Sequence, residues 1–148
     1  MHTFFEVRVR YEKVMETGTN KQVTEPYLID ALSFTEAEAR IIEKMKPFIS
    51  GEFKVKAVKQ ANYSELFFSN DKNADIWYKA KLAFVTLDEK SGAEKKTYTN
   101  ILIQALDLRD AVKKLDENMK GTLVDYRIVS ISETKIIDVY MYVPATEQ

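Results

Sequence analysis

Side chains able to take or give protons at neutral pH are scarce in this sequence. Its one histidine, His2, stands at the N-terminus and reads as a solvated bystander. There is no cysteine, which removes disulfides, thiolate nucleophiles and zinc–cysteine sites together. Ser-His-Asp catalysis and multi-histidine metal sites fall with them. The four glycines, Gly18, Gly51, Gly92 and Gly121, fit turns and helix ends, and no glycine-rich phosphate loop occurs. Two carboxylates stand out, Glu65 and Asp138, each inside an apolar run. Brought together, they could share a proton and work as an acid/base pair. Facing solvent or pairing with lysines is the competing reading. Asp30 draws less attention, because the corresponding position later in the chain is Gln104. No catalytic, cofactor or metal residue is assigned, and the chain reads as a non-enzyme.

Cations offer a different chemistry. Arg8, Arg10, Lys54, Lys56, Lys79 and Lys81 fall on the polar faces of predicted strands, whereas many acids sit on helices. A sheet face can therefore be cationic and hold a polyanion such as nucleic acid, although the chain as a whole is nearly neutral. Base stacking needs exposed aromatics. Most strand aromatics alternate inward, but Trp77 shares a face with Lys79 and Lys81. Lysines on sheet edges also simply block aggregation. A third candidate surface is aromatic: Tyr63, Phe67, Phe68, Tyr140 and Tyr142 lie in two runs that are apolar on both sides. Such runs are buried on both faces, between copies of a repeat or against a partner.

Composition bounds these readings. The 148 residues carry 22 Lys+Arg and 23 Asp+Glu, with 45% hydrophobic residues. That describes a globular chain long enough for a core without staples. No run approaches the roughly 18 apolar residues of a membrane span. The N-terminal residues Met1 to Arg8 lack a basic stretch followed by an apolar run, so no signal peptide is expected and the cytoplasm is the expected location.

An internal repeat positions the candidates. At an offset of 74, eight of the twenty positions 28–47 are identical, among them Leu28/Leu102, Ala37/Ala111 and Met45/Met119. At an offset of 73, Glu52-Phe53-Lys54-Val55 meets Asp125-Tyr126-Arg127-Ile128 like for like. The polar stretch Ser69 to Asp75 separates the copies, 4–69 and 76–143, within one domain spanning 1–148. Each copy opens with an alternating strand (Phe5, Val7, Val9, Tyr11; Tyr78, Ala80, Leu82, Phe84), a glycine turn and a second strand. Ser33 with Glu36, and Asp107, supply helix caps. The stripes Phe34, Ala37, Ile41, Met45 and Leu108, Ala111, Leu115, Met119 predict amphipathic helices, ended by Pro47 and Gly121. Two strands close each copy, the last at 63–68 and 136–143. The predicted class is α+β: a tandem ββαββ unit, two antiparallel sheets each covered by one helix, forming one pseudo-symmetric domain.

The strings Val23-Thr24-Glu25-Pro26-Tyr27-Leu28-Ile29-Asp30-Ala31-Leu32-Ser33-Phe34-Thr35-Glu36-Ala37-Glu38-Ala39, Asn62-Tyr63-Ser64-Glu65-Leu66-Phe67-Phe68 and Leu87-Asp88-Glu89-Lys90-Ser91-Gly92-Ala93-Glu94-Lys95-Lys96-Thr97 resemble a small bacterial family, catalogued as a domain of unknown function and common in gut bacteria. The resemblance implies a bacterial or phage-related cytoplasmic protein and assigns no site residues. The leading expectation is a binding or adaptor module for a protein partner or a second copy, acting through Tyr63, Phe67, Phe68, Tyr140 and Tyr142. Nucleic-acid binding on the six cations is the alternative, and the Glu65/Asp138 enzyme the third reading.

Overall fold

A computed structural model describes residues 2–142. In chain order the elements are β1 (Phe4–Val14), β2 (Asn20–Asp30), α1 (Phe34–Met45), β3 (Phe53–Ala61), β4 (Glu65–Phe67), β5 (Ile76–Leu87), β6 (Glu94–Ala105), α2 (Leu108–Asn118), β7 (Tyr126–Glu133) and β8 (Val139–Tyr140). The fold is α+β, with two helices and two four-stranded sheets. It divides into two compact units, Met1–Asn62 with Lys135–Gln148, and Tyr63–Thr134.

In the first unit the strand order is β3-β1-β2-β8. Alternation along β1 turns Phe5, Val7 and Val9 inward, where they meet Tyr27 and Ile29 of β2 and Ala37, Ile41 and Met45 of α1. In the second the order is β4-β6-β5-β7, and Tyr78, Ala80 and Leu82 of β5 meet Ile101 and Ile103 of β6 under Ala111 and Leu115 of α2. The caps form as the sequence predicts. Ser33 Oγ accepts from Glu36 N–H at 3.1 Å, and Asp107 Oδ1 from Asp110 N–H at 2.8 Å. Each first-turn acid also reaches back: Asp110 Oδ2 accepts from Leu106 N–H at 2.9 Å.

Three expectations need correction. The sheets are mixed rather than antiparallel, since β8 runs parallel to β2 and β4 parallel to β6. A hairpin forces neighbouring strands to alternate direction; neither of these pairs is joined by one, so its direction is free. The closing strands are also shorter than predicted: β4 excludes Tyr63 and Phe68, and β8 covers only Val139–Tyr140, with Val143 outside the described residues. The third correction concerns the helix stripes. Phe34 and Leu108, their first members, are about half exposed, because the first helical residue lies at the end of the packed face. Phe34 still meets Phe5 edge-on, with ring centroids 4.9 Å apart.

Candidate functional site

The first unit builds a cleft where β8 is laid along β2. Leu28 N–H donates to Asp138 O at 3.0 Å and Ile137 N–H to Pro26 O at 2.9 Å, so the segment is already tied to β2 just before β8 begins. Pro26 has no N–H to offer on the outer edge of β2, and its carbonyl takes the contact instead. This pairing sets Tyr140 beside Ile29 and stacks its ring on Tyr27 at 6.0 Å. Two residues on, Tyr142 lies half exposed beneath the Arg40 guanidinium, whose carbon is 3.7 Å from the ring centroid. Arg40 is held from two other directions, by the Glu36 carboxylate one turn earlier and by Asp30 O at 2.5 Å. Lys44, a further turn along α1, stands 5.8 Å over the Tyr140 ring and has no ion pair among the described residues. Between these groups is an open cleft of about 330 Å³.

Behind the cleft lies a phenol cluster that the sequence did not announce. Tyr11 OH donates to Glu25 Oε1 at 2.5 Å, Tyr27 OH stands at 3.4 Å from the same oxygen, and Lys13 Nζ is 3.7 Å from Oε2. Burial, and then the bond to Glu25, push the Tyr11 phenol up to about 12. Burial and the Glu25 charge raise Tyr27 further, and burial with the Asp138 charge raises Tyr140. A readable signal was present: Glu25 falls on the inward alternation of β2 with Val23, Tyr27 and Ile29.

His2 and Asp30 meet, a contact that the sequence pattern does not predict. The Asp30 carboxylate is only 10% exposed, and His2 Nδ1 lies 2.7 Å from its Oδ2. The ring, still 56% exposed, is paired with this carboxylate. Burial makes the difference, since a carboxylate removed from water draws in whatever donor is near.

The second unit closes the corresponding corner. Lys114, one turn after Asp110, donates to Gln104 O at 3.2 Å, to Ser69 Oγ at 2.5 Å and to Asp110 Oδ2 at 2.9 Å. The Asp110 carboxyl is held below its ordinary value, first by the Leu106 N–H and then by Lys114. Of the aromatic candidates here, Phe67 packs against the core, Tyr63 is half-buried, and Phe68, 52% exposed, meets Trp77 edge-on at 5.4 Å. Trp77 itself is 2% exposed, so the expectation of a stacking platform beside Lys79 and Lys81 is overturned. A large ring at the covered end of a sheet face gains more from burial than from water.

The six cations fall in two groups. Arg8, Arg10, Lys54 and Lys56 belong to the first unit's sheet, while Lys79 and Lys81 belong to the second unit's sheet. All six are exposed. Arg10 lies directly across from Lys54, and a bulge between Arg8 and Val9 leaves Lys56 without an opposite residue. Arg10, Lys54 and Lys56 line an open concavity of about 740 Å³ with Gln22, Ser50 and Gly51, and with the carboxylates Glu12 and Glu52. Glu65 opens β4 and Asp138 immediately precedes β8, strands of different sheets, and both residues are exposed. Among the described residues no three His, Cys, Asp or Glu side chains gather as metal ligands, and no helix is long and apolar enough to cross a membrane.

Residues 3–142 match the family described as Domain of unknown function (DUF4494). The chain belongs to this family. No curated protein matches it. The DUF4494 match runs through both units, so the α1/β8 cleft and the cationic concavity both lie inside the family's domain.

Proposed function

We propose that this DUF4494 chain is a non-enzymatic binding module that takes a short segment of a partner protein into the α1/β8 cleft. The observation that carries the reading is the Arg40–Tyr142 stack beside Tyr140, open to solvent and backed by the Tyr27 ring. A volume of about 330 Å³ accommodates one or two side chains. The rings offer an apolar floor and the Lys44 ammonium a charge partner; of the two carboxylates in the lining, Asp30 is taken by His2, and Glu43 stands beside Lys44 in the sequence. The favoured segment therefore carries an aromatic or aliphatic side chain next to a carboxylate. Of the five aromatic candidates, Tyr140 and Tyr142 contribute directly, while Phe67 serves the core.

Selection of a displayed peptide library on the immobilised full chain tests this. The expected outcome is enrichment of acidic–aromatic sequences that is lost with Lys44→Glu and with Tyr142→Ala. A library that yields no shared motif, or a motif that both variants retain, removes the reading. Light scattering across a concentration series addresses the other occupant, a second copy of the chain.

We infer further that the chain is a tandem duplication of a ββαββ unit, copies 4–69 and 76–143, within a single pseudo-symmetric domain over 1–148. Several features support this: the identities at an offset of 74, the matching strand orders, and bulges at corresponding places, between Arg8 and Val9 and between Lys81 and Leu82. In this reading each copy's last strand pairs in the other copy's sheet. A cytoplasmic, bacterial setting belongs to the same proposal.

A further inference from the structure

We propose that the concavity at the open end of β1, β2 and β3 binds the phosphate groups of a polyanionic ligand through Arg10, Lys54 and Lys56.

The argument begins with a pairing that the fold alone would avoid. Arg10 and Lys54 are direct cross-strand neighbours, and like charges in that position repel. No ion pair among the described residues relieves them. Arg10 donates to the neutral Gln22 amide, and among the described residues neither Lys54 nor Lys56 has a carboxylate within ion-pair distance. The bulge adds Lys56 to the same patch, which an unbroken ladder would have given an opposite residue. The second unit's sheet shows that this crowding is not inherent in the architecture. There Lys79 faces Ser132, Lys81 faces Ser130 and Ala83 faces Arg127, so every cation has a neutral neighbour across the strand.

Shape and donor chemistry agree with the charge. The concavity of about 740 Å³ is lined by the three cations together with Gln22, Ser50 and Gly51. Gly51 presents no side chain, and a Cβ there would meet nothing within 4 Å, so the rim is open. A guanidinium offers a forked pair of donors to phosphate oxygens, and two ammoniums add point charges. Glu12 and Glu52 also line the concavity and partly offset the three cations, so a ligand that reaches all three cations at once, as a chain of phosphates does, is favoured over a single small anion. The shared chemistry is a chain of phosphates, whether the backbone of a single-stranded nucleic acid or a free polyphosphate.

Fluorescence anisotropy with the full chain and a labelled twenty-nucleotide thymidine oligomer reads the first source. Isothermal titration with inorganic tripolyphosphate reads the second, and its competition against the oligomer shows whether the two share one site. Three phosphate contacts on a single strand give a log–log salt slope of about −2, so Kd should rise about twentyfold between 50 and 200 mM salt. The Lys54→Gln/Lys56→Gln double variant should cut that slope to about −0.7 and weaken binding at 50 mM salt by at least tenfold. Glu12→Gln/Glu52→Gln should tighten binding, and Lys79→Gln/Lys81→Gln should leave it unchanged. Oligomer binding that tripolyphosphate does not displace assigns the site to nucleic acid; tripolyphosphate binding without oligomer binding assigns it to free polyphosphate. Either supports the site. No binding of either probe at 50 mM salt overturns it, as does binding that the Lys54/Lys56 variant leaves intact while its circular dichroism matches the parent.

Discussion

Removing the Glu25 carboxylate tests whether the phenol cluster behaves as one electrostatic unit. Its Oε1 accepts the Tyr11 hydroxyl at 2.5 Å, a charge-assisted bond, whereas Tyr27 at 3.4 Å lies beyond the range where such bonds are strong. Lys13, half exposed and 3.7 Å away, adds little. A hydrogen bond to a charged group stabilises by about 1.5–3 kcal/mol, and partial solvent access at both partners reduces this to about 1–2 kcal/mol. In a double-mutant cycle of Glu25→Ala with Tyr11→Phe, followed by urea unfolding at pH 7, the coupling energy should be about 1–2 kcal/mol. Lys13→Ala should cost about 0.5 kcal/mol or less. The pH dependence has a definite sign. Both phenols hold their protons more tightly in the folded chain than the ordinary value near 10. Their contribution is therefore complete below about pH 10 and is lost as pH rises through about 12, where Tyr11 ionises. Glu25→Gln should bring Tyr11 part of the way back, because burial, the larger cause, remains. A coupling energy below about 0.3 kcal/mol, the level at which independent sites add, would show that Tyr11 and Glu25 do not act as one unit.

Two further outcomes follow from burial and backbone geometry. Trp77→Ala should destabilise the second unit by about 3–5 kcal/mol, and the emission of the native indole should shift red only on unfolding, because the ring is 2% exposed and covered by Phe68. Gly121 ends the second helix region at φ 85°, with open space where a Cβ would go. Gly121→Ala should therefore cost about 1 kcal/mol through backbone strain alone, read as a lower denaturation midpoint with an unchanged m-value.

The local elements were legible because their signals are local. Phe5, Val7 and Val9 alternate, and all three are buried; Ala37, Ile41 and Met45 keep helical spacing, and all three meet the sheet. Ser33 and Asp107 cap the helices because each offers a side-chain oxygen to an unpaired N–H. The site was half legible. Tyr140 and Tyr142 were marked by a run too apolar for one face, but Arg40 was not, because a helical arginine four residues after Glu36 looks like any surface ion pair.

What the sequence determined by itself is the set of elements, their caps, the charge they carry and the poverty of catalytic groups. What the tertiary structure decided is which strands meet. An apolar run announces that it will be buried without saying against which neighbour, so only the folded chain could lay β8 along β2 and β4 along β6. From those pairings came the cleft under Arg40 and Lys44. Likewise the burial of Asp30 and Trp77, two residues whose types allow either fate, was set by what the surrounding chain covers. Alternation fixes the face of a side chain within a few residues; whether that face meets water depends on contacts made across the whole unit.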